Sequence, residues 1–218
     1  MEDLQISMNS GRLHVEGFPD AVKLAVLSDR EARRLAHLAL HRQDLEFAHQ
    51  CAITLRNSPD QPEVIKQSLL RSSVTTWAKC FGNSRSRFSL SLQRIYSAGV
   101  QRDVANHYLA MRNKHFIHDE NPFSQAQAGV VVAPPATKPQ VQKVVCLSMV
   151  GLIGGDSDVT NIGLLIETAL TWVSDQFDAL ADRIAEQLEK VPYSELMSMP
   201  DMSFAVPTGD DAHTTRPR

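Results

Sequence analysis

No run of apolar residues in this chain approaches the roughly 20 that a membrane-spanning helix needs. The first residues, Met1-Glu2-Asp3-Leu4-Gln5, are acidic where a secretory leader would carry a basic stretch and an apolar core. The expectation is a cytoplasmic protein without a membrane partner. Cysteine is scarce. Cys51, Cys80 and Cys146 lie far apart on different expected elements, which excludes a disulfide framework and the paired spacing of a zinc knuckle. Positive charge is not in excess: 22 Lys and Arg stand against 25 Asp and Glu, a net of −3. A general nucleic-acid coat is therefore excluded, and any contact with RNA has to be local. The glycines at 151, 154 and 155 lack the strand-turn-helix setting of a dinucleotide fingerprint and the Gly-Lys-Ser/Thr of a phosphate loop, which disfavours nucleotide binding.

What the chain does have is helical periodicity. Residues 1–27 are broken by Gly11, Gly17 and Pro19, and only Asp20 to Leu27 offers a short helix. Ser28 or Asp29 then supplies an N-cap, with Glu31 completing a capping box after Ser28. The helix that follows carries Leu35, Leu38, Leu45, Ala48, Ala52 and Leu55 and ends at Asn57-Ser58-Pro59. His37, His41 and His49 lie along it; with no carboxylate or cysteine at ligand spacing, they read as solvated. Pro62 suits the first turn of a second helix, in which Leu70, Val74, Trp77 and Phe81 form a stripe and Gly82-Asn83 closes it. Trp77 reads as core and Lys79 as surface. Asn83 to Phe88 is a Ser/Arg-rich loop, Leu90 to Tyr96 a short helix, and Val100 to His118 a further helix after Gly99.

Beyond Pro122 the pattern turns strand-like. A Val-rich pair of segments within about 128–153, joined by Pro134-Pro135-Ala136-Thr137-Lys138-Pro139, reads as a β-hairpin. A lone hairpin is marginal in water, so it must pack on the helices or on a second subunit. From Asp156 to Pro192 the residues Ile162, Leu165, Ile166, Ala169, Val173, Phe177, Leu180, Ile184 and Leu188 form the longest stripe. The expected fold is mostly α, an antiparallel helical bundle with an inserted β-hairpin and a long C-terminal helix. Residues 1–202 would make one domain and 203–218 a disordered tail.

The densest cluster of chemistry is Met111-Arg112-Asn113-Lys114-His115-Phe116-Ile117-His118-Asp119. Val104, Tyr108, Met111, His115 and His118 recur at steps of four and three, so a regular helix places both histidines on an apolar stripe. Arg112 flanks it. Arg112-Asn113 followed at the sixth position by His118 resembles the R-x4-6-H signature of the HEPN superfamily, in the Arg-Asn-Lys form of its abortive-infection branch. The Thr-Trp-Ala-Lys-Cys-Phe segment around Trp77 resembles the aromatic-rich helix beside the motif in such proteins.

The resemblance implies a helical bundle that dimerises with both motifs at the shared interface, and a metal-independent ribonuclease without cofactors that serves as a toxin or anti-phage effector with an antitoxin protein as partner. By position, Arg112 would hold the scissile phosphate, Asn113 would orient it or brace the partner motif, and His118 would be the acid/base. His115, one turn away, is a second candidate for that role. Arg85, Arg87 and Lys114 are the candidate RNA-binding cations.

The chemistry is consistent with those residue types. Cutting RNA without a metal needs a base for the 2′-hydroxyl, an acid for the leaving oxygen and a cation for the phosphorane charge. Histidine titrates near working pH, and a guanidinium is a permanently charged fork for phosphate oxygens. One motif supplies one of each kind, so a complete site needs two copies. Two other readings remain. His115, His118 and Asp119 would bind a metal, although no remote ligand is evident. Alternatively the protein is a non-catalytic HEPN-like dimeric binding module, or the partner of a toxin–antitoxin system, with Arg112 and His118 as a buried hydrogen-bonded pair.

Overall fold

The computed structural model describes residues 6–9, 12–118, 120–151, 155–203 and 206–214. The protein is mostly helical, with two separate two-stranded antiparallel sheets among the described residues. The chain groups into two compact units. One comprises residues up to Gln43, Asn83–Ser89 and Leu170 onward; the other comprises Asp44–Gly82 and Leu90–Ala169. The two longest helices, α1 (Arg30–Asn57) and α5 (Asp156–Leu188), contribute residues to both. No helix among the described residues is long and apolar enough to cross a membrane.

In the first unit, β1 (Ile6–Asn9) and β2 (Arg12–Val15) form a hairpin that the broken N-terminal pattern does not reveal, with Ile6 opposite Val15. The short helix expected over Asp20–Leu27 does not form. That stretch is extended instead because the chain near its other end supplies backbone partners: Val26 N–H donates to the Pro200 carbonyl at 2.8 Å and Met202 N–H to the Leu24 carbonyl at 2.8 Å. Helix α1 starts where the capping residues put it. Asp29 Oδ1 accepts the N–H of Ala32 at 2.7 Å, satisfying a first-turn donor. Glu31 instead meets Arg183 of α5 at 2.6 Å, so the cap is Asp29. His41, expected in solvent, is fully buried, and its Nε2 donates to the Phe88 carbonyl at 2.8 Å. This bond and the Arg87 Nη1 donation to the Leu40 carbonyl, 3.3 Å, fasten the loop 83–89 to α1. Near the C-terminus, α6 (Tyr193–Ser198) is a short helix. Within the tail expected to be disordered, Gly209–His213 form one 3-10 turn capped by Thr208 and Asp211.

The second unit adds α2 (Glu63–Lys79), α3 (Leu92–Ile95), α4 (Val100–Met111) and a π-turn (Arg112–Ile117). Gly99, at φ +87°, opens α4 in the left-handed region that glycine tolerates. Leu45, Leu70, Val74, Trp77, Tyr96, Tyr108, Ile162 and Ile166 are fully or almost fully buried. Three polar bonds lock this core. Trp77 Nε1 donates to the Tyr96 hydroxyl at 2.8 Å, which donates to the Leu165 carbonyl at 2.9 Å, and the Tyr108 hydroxyl donates to the Asp158 carbonyl at 2.9 Å. Burial pushes both phenols far above their ordinary range, Tyr108 further raised by the Asp158 carboxylate, so both hydroxyls remain donors. Lys79 is at the surface, paired with Asp44 at 2.8 Å.

The second hairpin, β3 (Ser124–Val132) and β4 (Val141–Val150), pairs Ser124 with Val150 and slips register between Val131 and Val132. It starts four residues earlier than the Val-rich pattern placed it, and residues 152–153, expected in it, lie outside the described residues. Almost every residue of both strands is exposed, including Val144 at 72 % and Leu147 at 74 %. Of the two coverings the sequence required for it, the helices therefore do not provide one. Its base is tied down: Gly151 N–H donates to the Phe123 carbonyl at 2.6 Å, and a Cβ at Gly151 would come within 2.6 Å of the Phe123 ring.

Candidate functional site

The apolar stripe of α4 leads into the motif as the spacing predicts as far as His115. Tyr108, Met111 and His115 are buried and Val104 is half-buried. After Met111 the backbone widens from the α to the π pattern, which fits an extra residue into the turn and shifts every later side chain out of the α register. The expectation that His118 continues the stripe fails for that reason. The helix stops at Ile117, and His118 is extended, with φ −131° and ψ 146°, and exposed. Glu120 N–H donates back to the Lys114 carbonyl at 2.9 Å and closes this helix end before Pro122.

The two histidines thus occupy different environments. His115 is only 6 % exposed, and its ring lies 5.5 Å from that of Phe116 and 5.2 Å from that of Phe123 at the base of the hairpin. His118 is open to solvent. No three His, Cys, Asp or Glu among the described residues are grouped to hold a metal ion, and Asp119, the third residue of the metal-binding reading, lies outside them.

Arg112 is half-buried at the start of the π-turn. Its Nη1 donates to Asn113 Oδ1 at 2.7 Å, while its Nε is enclosed without a hydrogen-bond acceptor. No carboxylate among the described residues pairs with it. Asn113 and Lys114 are exposed. A further cation stands beside the motif: Arg71 of α2 lies over the Phe116 ring, 5.3 Å from its centroid. The sequence carried no signal for it. Arg71 is on the exposed side of the Trp77 helix and over forty residues from the motif, so only the packing of α2 on the π-turn brings them together.

Arg85 and Arg87 belong to the first unit, and the motif residues to the second. The fastened loop groups these two arginines with Arg30, Arg33, Arg34 and His37 of α1 around an open cavity of about 690 Å³. The α1 arginines were not among the sequence candidates, because a helix N-terminus more often carries acidic residues. Compared with protein-family models, curated proteins and solved structures, the chain matches none.

Proposed function

We propose that this protein is a metal-independent endoribonuclease of the HEPN type that acts as a homodimer. The observation that carries the reading is Arg112: a half-buried guanidinium, oriented by Asn113 and lacking a carboxylate partner among the described residues, is poised for an external anion such as a phosphodiester. The exposed His118 beyond the π-turn supplies a proton-transfer group that substrate can reach. One copy removes the 2′-hydroxyl proton as the oxygen attacks phosphorus. The bond from phosphorus to the 5′-oxygen breaks, and the His118 of the second copy delivers a proton to that oxygen.

The second copy also answers the exposed apolar hairpin. Phe123, in contact with His115, begins the hairpin directly after the motif, so a partner seated on the hairpin base is also beside the motif. Two-fold pairing is the commonest symmetry for such self-complementary contacts. By its resemblance the protein would serve as a toxin or anti-phage effector held in check by an antitoxin protein. The non-catalytic reading, in which Arg112 and His118 form a hydrogen-bonded pair that fixes the dimer, wins if the wild type cuts no RNA in any metal condition while His115 and His118 variants disturb dimerisation.

Cleavage of single-stranded RNA is expected to persist in excess EDTA and to leave 2′,3′-cyclic phosphate and 5′-hydroxyl ends, because the nucleophile is the RNA's own 2′-oxygen. End-group analysis by polynucleotide kinase labelling reads this directly; 5′-phosphate ends would sink the mechanism. The dimer has its own test. Cys51 and Cys80 are buried and Cys146 is exposed on β4, so a thiol reagent reads the hairpin selectively in the folded protein. Labelling of Cys146 should slow as the protein is raised from nanomolar to micromolar concentration. A rate independent of concentration, with monomeric sedimentation, removes the dimer.

A further inference from the structure

The cavity between the start of α1 and the loop 83–89 is lined mainly by arginine. Arg30, Arg33, Arg34, Arg85 and Arg87 line it with His37, against one carboxylate, Glu31, which is already paired with Arg183 at 2.6 Å. Within a chain of net charge −3 this is a local concentration of positive charge. It is also a built surface. The fully buried His41 holds the loop through the Phe88 carbonyl, and the phenyl ring of Phe88 is flanked by the Arg34 guanidinium at 5.0 Å and by the rings of His37 and His41 at 5.7 and 5.1 Å.

We propose that this groove binds the phosphate backbone of single-stranded RNA, a second contact distinct from the Arg112 motif; the assignment to RNA rests on the reading above. Three features favour a polymer backbone over a mononucleotide. The cavity is open, whereas small-ligand sites enclose most of their ligand. The first-turn amide of Ala32, which could hold a terminal phosphate, is taken by Asp29. Phe88 is already flanked by Arg34, His37 and His41, so it offers little stacking surface to a base. What remains is guanidinium-to-phosphate contact, which positions RNA without reading sequence.

The test is anisotropy titration of the full chain with a fluorescein-labelled 2′-O-methyl oligoribonucleotide, which lacks the attacking hydroxyl and cannot be cut. Arg87 is engaged at the Leu40 carbonyl, so the exposed arginines of α1, Arg30, Arg33 and Arg34, set the count; three guanidinium–phosphate contacts predict that the logarithm of affinity falls against that of salt concentration with a slope of roughly −2, from 0.7 per contact on a single strand. Arg33 and Arg34 are exposed, so R33E/R34E can be made without disturbing the core; it should weaken binding at low salt at least about tenfold and flatten the slope to roughly −0.7. The control Lys66→Glu on α2 should bind as wild type. Unchanged affinity and slope in R33E/R34E overturn the proposal, as does displacement by a nucleoside triphosphate at micromolar concentration, which would mark a mononucleotide site. Single-stranded DNA of the same length should bind about as well, because the contacts are to phosphate and none is to a 2′-hydroxyl; a strong preference between the two strands overturns the phosphate-backbone assignment. Binding by a wild type that cuts nothing defeats the ribonuclease reading and leaves this site standing. Normal cutting and binding by R33E/R34E defeats this site alone.

Discussion

Replacing His118 with alanine is expected to lower RNA cleavage by about 100- to 10,000-fold, the usual contribution of one positioned acid or base. That loss corresponds to about 2.7–5.5 kcal/mol of transition-state stabilisation. Stability should hardly move, because the side chain is exposed and beyond the helix end. Arg112→Lys should fare little better than Arg112→Ala, since an ammonium on a flexible stem cannot reproduce a fork set by the π-turn and braced by Asn113. His115→Ala gives the contrasting outcome. It empties a buried site between Phe116 and Phe123, so the melting temperature should fall while cleavage per folded molecule stays within a few-fold of wild type. Single-turnover rates beside thermal melts separate the two histidines; a His115→Ala protein that is stable but inactive would transfer the proton-transfer role to His115.

The other large effect is expected in the core. Trp77 is fully buried, and its indole N–H begins the relay through Tyr96 to the Leu165 carbonyl. Trp77→Ala should cost about 3–5 kcal/mol from lost contacts and the cavity left behind. At about 2–4 °C per kcal/mol for a chain of this length, the melting temperature falls by roughly 6–20 °C. Tyr96→Phe keeps nearly all the volume but leaves the Trp77 N–H buried without an acceptor, at about 1–3 kcal/mol, while the Leu165 carbonyl keeps its bond within α5. Trp77→Phe, which retains the Tyr96–Leu165 bond, should be milder than Trp77→Ala. If Tyr96→Phe melts with wild type, the relay contributes nothing to stability and Trp77 acts by volume alone.

The sequence by itself determined the long helices and the core positions along them. Period and caps are local: Asp29 and Pro62 mark helix starts, and the stripes of Leu70, Val74 and Trp77 or Ile162, Ile166 and Val173 face inward whatever their partner is. A Val-rich pair of strands around a proline connection was legible for the same reason, although its covering was not. Tertiary structure decided what depends on residues distant in sequence. Residues 20–27 are extended because the 200–202 backbone offers hydrogen bonds that a helix would forgo. His41 is buried because a carbonyl 47 residues away accepts its proton, whereas from periodicity alone it reads as one more solvated histidine. In the candidate site, Arg112 and His118 could be picked out by type and spacing. The division of labour between His115 and His118 could not, because a regular α-helix places them on one stripe and the π-turn buries one and releases the other. The five-arginine groove likewise exists only once the fixed loop brings 85 and 87 to 30, 33 and 34: charge is written in the sequence, but its concentration at one place is a product of folding.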